Sequence, residues 1–225
     1  MLETDVLHGD GGPAGPGGGA GASPAPVLVL MHGRGADPSD LAPLRRFFPA
    51  AVTVVLARAP FEAARWGYGP GWAWYLHDGD DRPETKSFRR SQHELEALVH
   101  GMADIVGAEP GPVFLGGFSQ GGTMSLGYAL RRRGDVAGVI NFSGFVPDHP
   151  DIPLESDGAA TPVFWGHGTA DPAIPFTLAV RGRERLRAAA LDLEARDYAM
   201  GHGISPDELR DASRWLEGVL GTGGP

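Results

Sequence analysis

The sequence predicts an α/β fold in which helices flank a mostly parallel central sheet. Short apolar runs rich in β-branched residues alternate with segments whose apolar residues recur at helical spacing, as in βα units. The apolar runs are nearly continuous, which indicates strands buried on both faces. Glycine-rich loops follow several of these runs, at the edge of the sheet where such proteins bind ligands.

This pattern predicts six strands and five helices. The strands cover residues 27–31, 52–57, 113–118, 137–142, 163–166 and 193–199. The helices cover residues 39–48, 87–106, 120–132, 176–190 and 206–220. Cap chemistry marks two of the helix starts, because Asp37 precedes Pro38 and Ser205 is followed three positions later by Glu208.

The length of 225 residues is typical of one domain, which we expect over 25–225. Residues 1–24 are rich in Gly and Pro and hold little apolar surface, so we expect a flexible segment. A short edge strand over 2–7 stays open. No apolar run reaches the roughly 18 residues of a membrane span, and the N-terminus carries acidic residues, so we expect a cytoplasmic protein without stable membrane insertion.

Composition excludes several classes of function. The chain has 19 Lys plus Arg against 28 Asp plus Glu, a formal net charge of −9, which disfavours a nucleic-acid partner. It has no Cys, which excludes disulfides, thiolate metal sites and cysteine nucleophiles. A covalent nucleophile would therefore be Ser, Thr, Lys or a carboxylate. The composition leaves a homodimer open.

A candidate nucleophile lies between the third predicted strand and the helix that follows it. The sequence Gly117-Phe118-Ser119-Gln120-Gly121 matches G-x-S-x-G, in which small residues let the backbone turn tightly around an exposed serine. In a chain with 35 glycines this match is weak alone, and the alternative is an ordinary serine in a glycine-rich turn. The strand before it and the helix after it favour the nucleophile.

A serine nucleophile needs a base and an acid that orients the base. Asp171 and His202 follow Ser119 in the chain order serine, acid, histidine, and each comes just after a predicted strand. His77 and His167 each lie close to an aspartate in the sequence and are the alternatives for the base or for a metal ligand. The competing carboxylates are Asp148, Asp151, Asp157 and Asp197.

Two backbone N–H groups are candidates for an oxyanion hole. One is that of Gln120, which follows the serine. The other is that of Arg34, in the His32-Gly33-Arg34-Gly35 loop after the first main strand, and the alternative is a simple glycine-rich turn.

An aromatic connection follows the second main strand. Trp72 and Trp74 are predicted to wall a substrate pocket, together with Phe145 and Ile174 from later loops. The alternative for the tryptophans is a satellite hydrophobic cluster that pins a long loop. The acidic run at 78–81 lacks the glycine and distal glutamate of an EF-hand, so no metal and no cofactor are expected.

Five segments together resemble the phospholipase/carboxylesterase family of α/β-hydrolases, which includes acyl-protein thioesterases and small bacterial carboxylesterases. The segments are 30–37, 116–122, 142–147, 166–171 and 201–205, within a resemblance that spans residues 26–220. The resemblance implies an α/β-hydrolase fold, with Ser119 as nucleophile, His202 as base and Asp171 as acid, and with Arg34 and Gln120 as oxyanion donors. Arg34 departs from the family pattern, which carries an apolar residue such as Leu there.

The sequence therefore predicts a serine hydrolase that cleaves carboxylic esters, with a small-molecule or lipid-like ester as substrate. Thioesterase or lysophospholipase action with the same residues is the alternative. A non-catalytic binding module on the same fold is a rival from another class. A nucleotide-binding protein is disfavoured because the chain has neither G-x-G-x-x-G nor a Walker loop.

Overall fold

The computed structural model describes residues 2–9, 24–79, 82–153 and 161–222. The strands are β1 (Thr4–Leu7), β2 (Val27–Met31), β3 (Thr53–Ala57), β4 (Phe61–Glu62), β5 (Trp72–Ala73), β6 (Val113–Phe118), β7 (Gly138–Phe142), β8 (Val163–Gly168) and β9 (Leu193–Tyr198). The α-helices are α1 (Thr85–His100), α2 (Met102–Val106), α3 (Gln120–Arg131), α4 (Phe176–Ala188) and α5 (Pro206–Thr222), and 3-10 helices cover Pro38–Phe47 and Ala63–Trp66. Most of the predicted flexible segment, 10–23, lies outside the described residues, as do Asp80, Asp81 and Asp157.

Seven strands form one sheet in the order β1-β3-β2-β6-β7-β8-β9, while β4 and β5 form a separate small pair. Strands β2, β3 and β6 to β9 run parallel to one another, which confirms the predicted α/β fold with a mostly parallel sheet. The edge strand left open over 2–7 is observed as β1, antiparallel to β3.

Two apolar layers cover the sheet. In β2, Val27, Val29 and Met31 belong to the layer that includes buried residues of α1, α3 and α4. Leu28 and Leu30 belong to the opposite layer, with α5 and the 3-10 helix after β2. Every residue of β2 is buried because both faces are covered, which explains its continuous apolar sequence. In the described ranges no helix is both long and apolar enough to cross a bilayer.

Two predicted helices differ from the observed ones. The segment predicted over 39–48 is a 3-10 helix, and Pro43 inside it removes a donor that an α-helix would use. The helix predicted over 87–106 begins earlier, where the Glu84 carboxylate accepts the Ser87 N–H, and it divides at Gly101 into α1 and α2. Glycine has low helix propensity, which accounts for a break at this position.

The position of a site follows from the strand order. The chain continues from β2 to β3 on one side, and the later strand β6 lies on the other side of β2. Loops after neighbouring strands diverge at such a switch point and leave a crevice. Met31 is opposite Gly117 in the register of β2 with β6, so the His32 loop and the Ser119 turn leave the sheet side by side.

Candidate active site

Ser119 occupies a strained turn between β6 and α3. Its φ is 56° and its ψ is −114°, a combination that non-glycine residues rarely adopt. The surroundings hold this conformation, since the Ser119 N–H donates to the Phe142 carbonyl at 2.9 Å. A Cβ at Gly117 would collide with the backbone of Gly121, and one at Gly121 would collide with that of Met31. Both glycines of G-x-S-x-G are therefore needed for the backbone to pass this closely.

The structure brings Ser119, His202 and Asp171 into one hydrogen-bonded chain. The Nε2 atom of His202 lies 3.0 Å from Ser119 Oγ, and its Nδ1 atom lies 2.7 Å from Asp171 Oδ2. The Asp171 side chain is fully buried, whereas 21% of the His202 side chain is exposed. The His202 ring also packs on Phe118, with 4.7 Å between ring centroids. This arrangement can move a proton from the serine hydroxyl to the imidazole.

Backbone donors hold the buried Asp171 carboxylate. Its Oδ1 atom accepts the N–H groups of Ala173 and Ile174, both at 2.8 Å. Burial of a carboxylate is costly unless hydrogen bonds compensate it, and bonds to a charged acceptor are strong. These two donors fix the carboxylate so that its other oxygen faces His202.

His167, an alternative for the base, is buried behind Asp171 and does not contact the serine in the described structure. Its Nε2 atom lies 3.0 Å from the Ile174 carbonyl and 3.6 Å from Asp171 Oδ2, while its Nδ1 atom lies 3.5 Å from the Trp165 indole nitrogen. Burial lowers the pKa of His167, so its ring is neutral and donates its Nε2–H to the carbonyl. His167 thereby stabilises the loop that contains Asp171.

His77, the other alternative, lines the same cavity. Its ring packs against Tyr75 and Phe145, with 5.1 and 6.2 Å between ring centroids. The ring nitrogen within hydrogen-bonding distance of Ser119 Oγ belongs to His202.

The loop after β2 lines the cavity on the side away from His202 and Asp171. A buried histidine, His32, also holds this loop in place. The His32 Nδ1–H donates to the Gly33 carbonyl at 2.7 Å, and its Nε2 atom accepts the Ala59 N–H at 3.1 Å. The indole N–H of Trp74 donates to the His32 carbonyl at 2.9 Å. Burial lowers the pKa of His32, so this ring is also neutral. Arg34, which follows in this loop, lines the cavity that contains Ser119.

Gln120 connects the turn at Ser119 with the aromatic loop. Its side-chain oxygen accepts the Trp74 N–H at 2.9 Å, and its side-chain nitrogen donates to the Tyr75 carbonyl at 2.9 Å. Its backbone N–H is at the first position of α3, where helices leave donors without partners inside the helix. The arrangement puts the Gln120 backbone beside the nucleophile while its side chain holds a neighbouring loop.

The two tryptophans lie elsewhere than the sequence predicted. Among the described residues that line the cavity, neither Trp72 nor Trp74 appears. Trp74 is fully buried in the core. The Arg58 guanidinium stacks on Trp72, with 3.9 Å from Arg58 Cζ to the centroid of the Trp72 ring. Trp74 donates its backbone N–H to Gln120 Oε1 and its indole N–H to the His32 carbonyl, and these bonds hold the segment against the body of the domain. The alternative of a packing cluster describes these side chains better than a pocket wall.

The cavity has a volume of about 740 Å³ and opens beside Ser119. Phe145 and Ile174, the other two predicted substrate-binding residues, line this cavity. Its larger apolar lining residues also include Leu41, Leu44, Phe118 and Ile204, which sequence reasoning missed. Phe118 had a usable signal, because it directly precedes the serine of the motif. The described residues contain no cluster of three or more His, Asp or Glu side chains suited to a metal ion.

The fold and this site define an α/β-hydrolase. Residues 20–220 match the model of the phospholipase/carboxylesterase family, and the chain belongs to that family. It is 29% identical over 217 residues to acyl-protein thioesterase 1 of Debaryomyces hansenii, with 86% of this chain and 91% of that protein covered. The family and this relative support a hydrolase that acts on carboxylic esters.

Two further comparisons bear on fold and activity. The chain is 33% identical over 210 residues to a probable inactive carboxylesterase of Oryza sativa subsp. japonica, covering 86% of this chain and 84% of that protein. The crystal structure of esterase PE8 superposes with a TM-score of 0.81 at 25% identity, covering 97% of this chain and 99% of that one. One of these relatives is named as a thioesterase and another as a probable inactive carboxylesterase, so the residues of this chain's own site must decide whether it is active.

Proposed function

We propose that this protein is a carboxylesterase that forms an acyl-enzyme on Ser119, with His202 as general base and acid and Asp171 as its orienting carboxylate. The observation that carries the proposal is the continuous chain of hydrogen bonds from Ser119 Oγ through the His202 ring to the buried Asp171 carboxylate. A serine hydroxyl is a weak nucleophile, and this geometry supplies the base it needs.

In the proposed first half-reaction, Ser119 Oγ attacks the carbonyl carbon while its proton moves to His202 Nε2. The carbonyl oxygen becomes an oxyanion, which accepts hydrogen bonds from the backbone N–H groups of Arg34 and Gln120. The intermediate collapses, the bond to the alcohol oxygen breaks, and His202 returns the proton to that oxygen. The ester is thereby converted to an acyl-enzyme and a free alcohol.

In the second half-reaction, water loses a proton to His202 and attacks the acyl carbon. Collapse of this intermediate breaks the bond to Ser119 Oγ, which takes the proton back, and the carboxylic acid leaves. Asp171 holds the Nδ1–H of the ring throughout and stabilises the imidazolium that forms in each half-reaction.

The apolar part of the cavity suits the acyl chain of a small-molecule or lipid-like ester. Leu41 and Leu44 come from the 3-10 helix, and Ile204 follows the His202 loop, so one side of the cavity is aliphatic. Burial of each methylene is worth about 0.8 kcal/mol, so we expect KM to fall with acyl length until the cavity is full.

Thioester hydrolysis is a second candidate, favoured by the relative named acyl-protein thioesterase 1. The same residues serve both reactions because both pass through an acyl-enzyme. An ester and a thioester with the same acyl group distinguish the two, since only the leaving group differs. A kcat/KM more than about tenfold higher for the thioester would reassign the preferred substrate.

Labelling with a fluorophosphonate tests the proposal. We expect covalent labelling of the wild type, and Ser119→Ala should lose labelling together with at least ~10³-fold in kcat, because triad members act as a unit. Ser125→Ala is the matched control, because Ser125 is a buried serine on α3 whose hydroxyl donates to the Gly121 carbonyl. Labelling that persists in Ser119→Ala, or is absent from the folded wild type, would favour another nucleophile or a non-catalytic module.

A further inference from the structure

The side chain of Arg34 has no use in the mechanism above, which needs only its backbone N–H. The residue is exposed and lines the cavity beside Ser119. Its guanidinium stacks over Tyr68, with 4.7 Å from Cζ to the ring centroid, and has no hydrogen bond or ion pair with the described residues. Arg89 and Arg183, by contrast, form ion pairs with Asp151 and Asp197. Arg34 therefore presents a cation at the cavity that has no ion-pair partner in the part of the chain that the structure describes.

Tyr68 is a fixed platform for this guanidinium. Its hydroxyl accepts the His77 N–H at 3.0 Å, and its own N–H donates to the Ala63 carbonyl at 3.1 Å. The backbone of Gly35 passes so close to Tyr68 that a Cβ at position 35 would collide with the Tyr68 carbonyl oxygen. Stacking on an aromatic face leaves the N–H groups at the edge of the guanidinium plane available to a ligand.

Few negative charges near Arg34 would repel an anionic ligand, as far as the described lining residues show. Asp40 is the one acidic residue among the described residues that line the cavity. Its carboxylate is engaged in a helix cap, since Oδ2 accepts the Asp37 N–H at 3.0 Å. The remaining titratable lining groups besides Arg34 are His32, Tyr75, His77 and His202, none of which is a carboxylate. The chain as a whole has a net charge of −9, so an anionic substrate would need a local cation.

We propose that the Arg34 guanidinium binds a carboxylate on the substrate, so that the enzyme prefers esters that carry a negative charge. This inference rests on the proposed esterase function of the same cavity. In that mechanism the backbone N–H of Arg34 contacts the reacting carbonyl oxygen, so its side chain reaches a carboxylate no farther away than its own length. Monoesters of short dicarboxylic acids meet this condition. A planar guanidinium can hold both oxygens of a carboxylate at once.

The test compares kcat/KM for matched anionic and neutral esters. The p-nitrophenyl monoester of glutaric acid and p-nitrophenyl pentanoate have the same leaving group and acyl chains of similar length. In a second pair, the butyrate esters of 4-hydroxybenzoate and of phenol, the charged member carries its carboxylate on the alcohol side. Comparison of the two pairs shows whether the enzyme recognises a carboxylate on the acyl group or on the leaving group. Because each variant is judged by the ratio of its own two rates, any general effect on the oxyanion hole cancels.

We expect Arg34→Gln to lower the anionic-to-neutral ratio roughly tenfold, mainly through KM, as for loss of a charge-assisted hydrogen bond. Arg34→Lys should lie between Arg34→Gln and the wild type, and Tyr68→Leu should lower the ratio by a smaller factor. Arg46→Gln is the control, because Arg46 is an exposed arginine that does not line the cavity. Its ratio should match the wild type.

An unchanged ratio in Arg34→Gln, or an equal change in Arg46→Gln, would overturn the inference and leave the esterase proposal standing. Binding to Ser119→Ala separates the two ideas further, because it needs no turnover. Glutarate should bind Ser119→Ala roughly tenfold more tightly than Ser119→Ala/Arg34→Gln by calorimetry, and equal affinities would contradict the inference. If the folded wild type hydrolysed none of these esters, that result would instead contradict the proposed function.

Discussion

The two walls of the cavity differ in what their buried histidines support. On the wall after β2, the His32 ring bonds only to backbone groups, and the loop carries Arg34, whose backbone N–H is the proposed oxyanion donor. On the wall after β8 and β9, the His167 ring bonds to the Ile174 carbonyl but lies beside the Asp171 carboxylate. The proposed catalytic group of the first wall is a backbone N–H, whereas the second wall supplies side chains, the charged carboxylate of Asp171 and the imidazole of His202.

This difference predicts different sensitivity to substitution. A backbone N–H survives every side-chain change except one to proline, so the first wall should tolerate most substitutions at Arg34. A carboxylate or an imidazole is lost with its side chain, so the second wall should tolerate few.

The largest expected effect is on the charged wall. Asp171→Asn should lower kcat by on the order of 10⁴-fold, because the amide no longer holds the His202 tautomer that accepts the serine proton. The Asn side-chain oxygen can still accept the Ala173 and Ile174 N–H groups, so the fold should persist. Steady-state kinetics with circular dichroism measures both.

Asp37→Asn is the matched control on the wall after β2. Asp37 caps the 3-10 helix through the Ser39 N–H, and Asn is an equally good cap. We expect kcat within twofold of the wild type. Similar losses in both variants would show that the two walls do not differ in the way described.

The second effect concerns the oxyanion donor at Arg34. Arg34→Pro removes the N–H and should lower kcat roughly 10²- to 10³-fold, whereas Arg34→Ala keeps it and should retain kcat on neutral esters within about tenfold. Circular dichroism must show that the proline variant is folded. A loss beyond ~10²-fold in folded Arg34→Ala would contradict the backbone assignment.

The buried histidines make stability depend on pH. Burial lowers the pKa of His32 and His167, so the unfolded chain binds more protons than the folded one below about pH 6.5. Their contribution to stability is complete above that pH and is lost as pH falls from 7 to 5.5. Burial also lowers the pKa of His149, which acts in the same direction.

Urea unfolding at pH 7 and pH 5.5 measures this loss. His32→Gln and His167→Gln should each show a smaller decrease in unfolding free energy than the wild type. His93→Gln, on the exposed face of α1, should not change it. An unchanged decrease in both buried variants would contradict the neutral state assigned to the rings.

The smallest effect has the opposite sign and comes from Glu208 on α5. Burial raises the pKa of this carboxyl to about 8, and it is packed against Gly166. Between pH 4.5 and 8 the folded state binds more protons than the unfolded one, so this group destabilises the fold as pH rises. His32, His149 and His167, whose pKa values burial lowers, affect the unfolding free energy mainly below pH 7.

We expect the wild type to lose about 1 kcal/mol of unfolding free energy from pH 7 to pH 8 through Glu208. Glu208→Gln should remove this loss, since the amide does not titrate, while Glu217→Gln at an exposed position of the same helix should keep it. Equal pH dependence in the two variants would show that Glu208 is already ionised at pH 7.

The sequence by itself determined the sheet and the order of the candidate triad. Continuous apolar strands, and glycines that only a sharp turn requires, are local properties, so they can be read without knowing distant contacts. The rule that ligand groups follow the ends of parallel strands then selected Ser119, Asp171 and His202. Their atoms meet in the structure because neighbouring parallel strands end at one edge.

Only the tertiary structure decided which side chains surround that edge. Trp74 lies in the core because Gln120, 46 positions later, holds its backbone N–H, and no local pattern carries that information. Leu44 and Ile204 reach the cavity from elements far apart in the chain, and Arg34 finds its platform on Tyr68 across a loop. Such contacts depend on the packing of separate elements, whereas sequence periodicity reports only the burial of each element by itself.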